Sequence, residues 1–326
     1  MNKTSKTVLK NVPIFLPIFG FAFYVIGSIN NKERNYVNIR SQKTDAYPYR
    51  QVLTIELSEK INRFDLHDDK LYVSTDQTIF VFDTAGNILN SFASKPDATD
   101  IAVDDDNIFL LYPARIEIYS LSGESIRTFE ACSDLSDYYS FALSEKHIFV
   151  TDSENKNICK YTREGDFVKF IASPHGFVIP GYCFDIEVRN DTLFCVNPGR
   201  HQIETYTLDG DFIAAFGQPG EEPGSFCGCC NPVYVSFTPS GELITSEKGV
   251  PRISCFDRNG KFRSVLLDGE SLGGGNSAYE VKISGDKLFV ADKNRISIYE
   301  YDTTSASGTA CSACSADCPL RKRITL

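Results

Sequence analysis

The sequence predicts an all-β protein, a six-bladed β-propeller closed by an N-terminal strand. Three observations predict this fold: an apolar pattern that recurs six times, a repeat of 37 to 50 residues, and a composition suited to strands. The chain of 326 residues contains 24 Phe and 16 Tyr but one Met and no Trp. Aromatic side chains pack well on pleated sheets, and all-β domains of this size occur as single units.

The chain begins with an apolar segment that predicts a membrane anchor in residues 1–30. Val12 to Ile29 carry no charge, and about 18 such residues are enough to cross a bilayer core. Three lysines before the segment favour a cytoplasmic N-terminus and a propeller on the extracytoplasmic (periplasmic) side: Lys3, Lys6 and Lys10. An alternative is a signal peptide cleaved near Ile26-Gly27-Ser28. Both interpretations predict export, with residues 31–48 as a linker.

One pattern, Ile-x-x-(Phe/Tyr), marks the third strand of each predicted blade. Its six copies are Ile79–Phe82, Ile116–Tyr119, Ile158–Tyr161, Ile203–Tyr206, Ile253–Phe256 and Ile296–Tyr299. A second strand precedes each copy, as at Leu71-Tyr72-Val73, and a glycine turn follows five of them, as at Gly86-Asn87. Several short strands in a unit of this length are typical of propeller blades.

The sixth unit lacks a fourth strand, because the sequence turns polar after Tyr301. Gln51 to Leu57 precede the first unit and have no partner within it. Placing this strand in the sixth blade predicts a closed ring over residues 49–302, which leaves no exposed sheet edge.

Two stretches resemble the repeat unit of the NHL family of six-bladed propellers. They are LFVADKNRISIYEYD (Leu288–Asp302) and LFCVNPGRHQIETYTLDGDFIAAFG (Leu193–Gly217). The resemblance implies the propeller fold for residues 49–302. The family includes scaffold and ligand-binding domains, RNA-binding modules and a few metal-dependent lyases, so the fold leaves the function open.

The long insertions are predicted to lie on one face of the ring. They span Ala131–Tyr139, Ser173–Tyr182, Gln218–Pro232 and Asp268–Ala278. Long loops on one face of a rigid scaffold usually carry the function. Loops on the same face supply six candidates for ligand or partner binding: Asn197, Arg200, Glu247, Lys248, Arg252 and Asp292. Some of these residues are expected to form structural pairs instead.

Eleven cysteines fall into several groups. Cys159, Cys195 and Cys255 lie in predicted strands, and the last two are expected to be core residues. The segment Gly224–Pro232 contains a CGCCNP sequence that resembles a variant found in some bacterial NHL proteins. The tail, residues 303–326, resembles part of a ferredoxin-type ligand run. The candidates for metal or redox chemistry are Cys227, Cys229, Cys230, Cys311, Cys314 and Cys318.

Thiolates in these two clusters would suit an iron–sulfur cluster, copper(I) or zinc. An alternative is a disulfide from the CGCCNP sequence to Cys183 or Cys132, which exported proteins favour. Cys229 and Cys230 are not expected to bond each other, because a disulfide between adjacent cysteines is strained. The tail is expected to leave from the opposite face, so two separate cysteine sites are predicted.

These observations predict a membrane-anchored binding or assembly module with a protein partner in a redox or metal-handling membrane system. No catalytic residue is predicted. The alternative is a metal-dependent lyase or hydrolase on the loop-rich face, where His175 and His201 are the only histidines. Without the first 34 residues, 28 basic and 42 acidic residues leave a net charge of −14. Such a body repels phosphate backbones, which argues against nucleic-acid binding.

Overall fold

The computed structural model describes residues 49–301, and it confirms the six-bladed propeller. The predicted anchor at Val12–Ile29, the linker and the tail with Cys311, Cys314 and Cys318 lie outside the described residues. Within residues 49–301, no helix is long and apolar enough to cross a membrane.

Each blade is a four-stranded antiparallel sheet. Blade 1 contains β2 (Ile61–His67), β3 (Lys70–Thr75), β4 (Thr78–Asp83) and β5 (Ile88–Ala93). Blade 2 contains β6 (Asp100–Val103), β7 (Asn107–Tyr112), β8 (Arg115–Ser120) and β9 (Ser125–Glu130). Blade 3 contains β10 (Tyr138–Leu143), β11 (His147–Asp152), β12 (Asn157–Thr162) and β13 (Phe167–Ile171).

The remaining strands complete the ring. Blade 4 contains β14 (Ile186–Arg189), β15 (Thr192–Asn197), β16 (Gln202–Thr207) and β17 (Phe212–Phe216). Blade 5 contains β18 (Tyr234–Phe237), β19 (Leu243–Glu247), β20 (Arg252–Phe256) and β21 (Phe262–Asp268). Blade 6 contains β22 (Glu280–Ser284), β23 (Lys287–Asp292), β24 (Arg295–Tyr301) and β1 (Tyr49–Glu56). Two short 3-10 helices lie at Pro180–Tyr182 and Pro198–Arg200.

The N-terminal strand closes the ring as predicted. β1 pairs antiparallel with β24, so that Tyr49 lies opposite Tyr301 and Glu56 lies opposite Arg295. β1 therefore supplies the fourth strand of blade 6.

The apolar core lies between neighbouring blades. In one such cluster, Phe109 and Leu111 of blade 2 pack with Phe141 and Tyr161 of blade 3. The turns after the third strands complete this packing. At Gly123, φ is +92°, and a Cβ atom there would lie 2.4 Å from the Phe92 ring of the preceding blade. Only glycine satisfies both the positive φ and this close approach.

The long connections lie on one face, as predicted. They join the fourth strand of one blade to the first strand of the next, and that first strand lines the central channel. We call this face the loop-rich end. Its connections are residues 131–137, 172–185, 217–233 and 269–279.

Candidate functional site at the loop-rich end

The first strands of five blades, together with the residue just before the first strand of blade 4, place a ring of polar side chains in the central channel, near the loop-rich end. Residue types at the equivalent channel-facing position differ from blade to blade. In blade order, the ring consists of Arg63, Asp100, Ser140, Asp185, Tyr234 and Glu280.

Arg63 lies at the centre of this ring and is 4% exposed. Its guanidinium lies 3.2 Å from Asp185, 3.7 Å from Asp100 and 3.6 Å from Glu280. The rings of Tyr139 and Tyr234 flank the guanidinium at 5.2 Å and 4.7 Å, distances typical of cation–π contacts. A buried charge needs such partners, since leaving it alone would be very costly.

The carboxylates of this ring also connect neighbouring blades. Asp100 accepts a hydrogen bond from the backbone N–H of Phe141 at 3.0 Å. Asp185 accepts one from Val235 at 2.9 Å, and Glu280 accepts one from Phe64 at 3.2 Å. Each acid therefore holds the first strand of the following blade, which gives these carboxylates a structural role.

A cavity of about 170 Å³ lies in the channel. Lys282 crosses it and pairs with Asp65 and Glu187, both at 3.1 Å. Burial raises the pKa of Glu187 to about 7 and that of Glu280 to about 8, although nearby cations oppose this shift. The channel contains more carboxyls than cations, so part of its negative charge is relieved by protonation near neutral pH.

The CGCCNP loop, Cys227–Pro232, lies at the loop-rich end just before β18. The sulfurs of Cys229 and Cys230 lie 2.9 Å apart and are not bonded. Cys229 is exposed and Cys230 is buried. Burial, together with the contact from Cys229, raises the pKa of Cys230 to about 11. Cys230 is therefore a protonated thiol at neutral pH.

Cys183, just before β14, brings a third sulfur to the same place. Lys248 Nζ lies 3.7 Å from Cys183 Sγ, and Lys248 also acts on the charge of Cys230. Gly181 lies between the two thiols: its carbonyl is 3.5 Å from Cys183 Sγ, and a Cβ atom built on it would lie 3.8 Å from Cys230 Sγ. We call Cys183, Cys229 and Cys230 the thiol cluster.

The thiol cluster adjoins the mouth of the channel. Cys183 lies two residues before Asp185, and it is close enough to Tyr139 to influence that phenol. Burial is the main cause that raises the pKa of Tyr139, and the charges of Tyr234 and Cys183 act in the same direction. Cys183 is thus a neighbour of Tyr139, one of the two tyrosines that flank Arg63.

Asn231 and Arg252 hold the CGCCNP loop and the insertion before it. Asn231 is 1% exposed, donates to the carbonyls of Cys227 (2.7 Å) and Lys248 (2.8 Å), and accepts from the Lys248 N–H (2.9 Å). Arg252 donates to the carbonyls of Glu221, Glu222 and Ser225 at 2.9, 3.1 and 2.5 Å. It also bonds both oxygens of Glu247, at 2.7 and 2.9 Å.

The other residues proposed for ligand binding pair with neighbouring groups of the protein. Asn197 is buried and bonds the Val178 N–H, the Gly176 carbonyl and Glu204. Arg200 is exposed and donates to Gly176 O at 2.9 Å, and Asp292 pairs with Arg295 at 3.3 Å. A ligand-binding role for these residues, as for Glu247 and Arg252, stays a prediction.

The remaining cysteines and histidines lie in distinct surroundings. Cys195 and Cys255 are buried in apolar clusters, as expected. Cys227 is buried too, and its side chain lies beside Asn231 rather than in the thiol cluster. His201 contacts the Gly228 carbonyl, whereas His175 packs edge-on against Phe212. Within residues 49–301, no three His, Cys, Asp or Glu side chains form a ready metal site.

Sequence reasoning assigned no role to Tyr139, to Asn231 or to the residues of the channel ring, among them Arg63, Tyr234 and Glu280. The sequence carried a signal for two of the channel residues, Arg63 and Glu280. Each is the first residue of a polar–apolar–polar alternation in a first strand, in Arg63-Phe64-Asp65 and in Glu280-Val281-Lys282. The role of Asn231 had no such signal beyond its place in the CGCCNP loop.

Comparisons with known proteins support the fold. No protein-family model matches the chain, and no curated protein matches its sequence. Virginiamycin B lyase from Staphylococcus aureus superposes with a TM-score of 0.54 at 12% identity, covering 77% of this chain and 99% of the lyase. A Bacteroides thetaiotaomicron protein of unknown function gives 0.56 at 11% identity, covering 78% and 72%.

A third similar structure is the Pan2 WD40 domain of Neurospora crassa, with a TM-score of 0.51 at 10% identity, covering 79% of this chain and 97% of that domain. At such identities the likeness shows the fold alone. The chain is a six-bladed β-propeller.

Proposed function

We propose that the chain is an NHL-type binding module, tethered to a membrane by Val12–Ile29, that binds a soft metal ion at its loop-rich end. The observation that carries the proposal is the thiol cluster. Its three sulfurs come from two insertions and lie around Lys248, next to the channel mouth. The architecture of a blade requires none of them. A protein partner on the extracytoplasmic side would deliver or receive the metal.

The number of available sulfurs favours copper(I) over the other metals that thiolates bind. An iron–sulfur cluster is held by four cysteines, and structural zinc takes four ligands. The loop-rich end gathers three sulfurs, since Cys227 is turned towards Asn231. Copper(I) is soft and is satisfied by two or three thiolates. Binding would draw the sulfurs closer than they lie in the free protein.

Metal binding at this site competes with protons. Cys230 has a pKa of about 11, so its proton must leave when the metal binds. The apparent affinity for copper(I) should therefore rise between pH 6 and pH 8. Lys248 lies beside Cys183 and would partly offset the negative charge of the bound thiolates.

The test is an anaerobic titration of the reduced, full-length protein with copper(I) against a chromophoric chelator. The starting protein carries Cys311→Ser, Cys314→Ser and Cys318→Ser, which removes the tail thiols. We expect one copper(I) per chain, and we expect Cys229→Ser with Cys230→Ser to weaken binding at least 100-fold. Cys195→Val is the matched control, since Cys195 is fully buried in an apolar cluster and is not one of the three thiols. Equal affinity in the double variant and the control would refute the metal proposal.

The tether needs a separate test. Spheroplasts of cells that produce the full-length chain are treated with protease, and the propeller is followed with an antibody. We expect the protease to digest the propeller in intact spheroplasts. Without protease, we expect the full-length chain to be retained in the membrane fraction. Protection until the membrane is lysed would refute the extracytoplasmic location.

A further inference from the structure

A second pair of thiols, composed of residues other than those of the thiol cluster, lies where blade 3 meets the connection that precedes it. Cys132 belongs to the connection between β9 and β10, and Cys159 lies on β12. Their sulfurs are 3.4 Å apart, and both are free thiols. Cys159 is fully buried, whereas Cys132 is partly exposed.

The backbone on both sides of this pair is fixed. Ala131 donates to the Ala114 carbonyl at 2.8 Å, and Tyr138 donates to the Pro113 carbonyl at 2.9 Å. The Cys132 N–H donates to the Tyr138 hydroxyl at 3.1 Å, and that hydroxyl lies 2.5 Å from the hydroxyl of Tyr161. Cys159 is held within the sheet opposite Val150 and Phe170. The two sulfurs are therefore kept in contact by the fold itself.

We propose that Cys132 and Cys159 are a modification site that closes to a disulfide in the folded protein. A disulfide bond is about 2.05 Å long, so the sulfurs need to approach by about 1.4 Å, which small side-chain rotations provide. Distance alone would favour a disulfide between Cys229 and Cys230, because their sulfurs lie closer, at 2.9 Å. That pair is adjacent in sequence, and its disulfide would be strained.

The oxidant is an external disulfide, either of a small thiol or of a thiol-oxidising protein. The thiolate of Cys132, the more accessible of the two, attacks one sulfur of that disulfide and releases the other as a thiol. Cys159 then loses its proton and attacks the Cys132 sulfur, which releases the second external thiol. The protein loses two hydrogens with their electrons, and the external disulfide gains them.

The order of these steps follows from the surroundings of each sulfur. Burial, reinforced by the neighbouring Cys132, raises the pKa of the Cys159 thiol. Cys159 is therefore a poor first nucleophile and is suited to the second, intramolecular step. The closed disulfide would tie the connection of residues 131–137 to the third strand of blade 3.

The sequence allows a direct test, because trypsin places Cys132 and Cys159 in separate peptides that contain no other cysteine. Cys132 falls in Thr128–Lys146 and Cys159 in Asn157–Lys160. The reduced full-length protein is incubated with oxidised and reduced glutathione, quenched with acid, unfolded, treated with N-ethylmaleimide and digested without reduction. We expect these two peptides to appear joined, two hydrogens lighter than their sum.

Two variants and one internal control complete the experiment. The joined species should disappear with Cys132→Ser and with Cys159→Val, and disulfide formation should raise the thermal midpoint of the wild type by about 5 °C. The buried Cys195 should appear as its N-ethylmaleimide adduct in every sample. Recovery of both peptides as separate adducts, or linkage of Cys159 to any other cysteine, would overturn the proposal. Neither outcome depends on metal binding at the thiol cluster.

Discussion

Arg63 in the channel and Arg252 in blade 5 are both about 95% buried, yet they stabilise different parts of the molecule. Arg63 faces carboxylates from three separate blades. Arg252 faces one carboxylate of its own blade, Glu247, and three carbonyls of one insertion. The difference indicates that the charge of Arg63 in the channel holds blades to one another. The charge of Arg252, at the loop-rich end of blade 5, positions a loop instead.

Replacing Arg63 should have the largest effect on stability. Arg63→Met leaves three buried carboxylates without their cation, and removing one partner of a buried ion pair typically costs about 3–5 kcal/mol. We expect a loss near the upper end of this range, measured by urea unfolding followed by circular dichroism. Arg263→Met is the control. Arg263 pairs with Asp257 at 3.1 Å near the surface, and its loss should cost less than about 1 kcal/mol. Equal losses of unfolding free energy in the two variants would contradict the proposal that Arg63 holds the blades together.

Replacing Arg252 should cost less and act locally. Arg252→Met leaves one carboxylate, which can take up a proton, so we expect a loss of about 3 kcal/mol. The carbonyls of Glu221 and Glu222 lose their donor at the same time. A glutamate-specific protease should therefore cut after these residues at least ten times faster in the folded variant. Arg63→Met is compared at matched stability. If the protease also cuts faster after Glu221 and Glu222 in that variant, the two arginines do not act separately.

The last effect is the smallest when it is counted per pH unit, and it separates the channel acids from ordinary surface acids. The folded-state pKa values of Glu280 and Glu187, about 8 and about 7, lie above the ordinary value of 4.5. At pH values between 4.5 and these folded-state pKa values, the folded state binds more protons than the unfolded state. The free energy of unfolding should therefore fall as pH rises from 5 to 8. One fully titrating group contributes at most about 1.4 kcal/mol per pH unit.

Glu280→Gln should flatten this slope, as measured by urea unfolding at several pH values. Glu300→Gln is the control, because Glu300 lies near the surface, 3.6 Å from Lys287. An unchanged slope in the Glu280 variant would mean that its carboxyl does not hold a proton in the folded channel.

The ring of blades could be predicted because its signals are local. The Ile-x-x-aromatic strands, the glycine turns and the unpaired strand at Gln51–Leu57 each appear in a short stretch of sequence. The closing partner followed from counting strands, since β24 had no other neighbour to complete its sheet.

The site could be predicted only in part, because its contacts join residues that are distant in sequence. Arg63 meets Asp185 and Glu280 across the channel, and no local pattern shows that these residues are neighbours. The cysteines of the CGCCNP loop were recognised as unusual for a blade. Cys183 was predicted as a neighbour only as an alternative to Cys132, and choosing between the two needed the three-dimensional fold. The Cys132–Cys159 contact was missed for the same reason.

The pairing of β1 with β24 has a consequence for how the chain is made. The ribosome releases Tyr49 early, but its partner Tyr301 follows about 250 residues later. At roughly 5–20 residues per second, the closing strand waits about 12 to 50 seconds for its sheet. During that interval an extended segment with unpaired backbone groups is open to other chains. Newly made protein is therefore at its most vulnerable before the last blade has emerged, and a chaperone that shields residues 49–56 would act in that window.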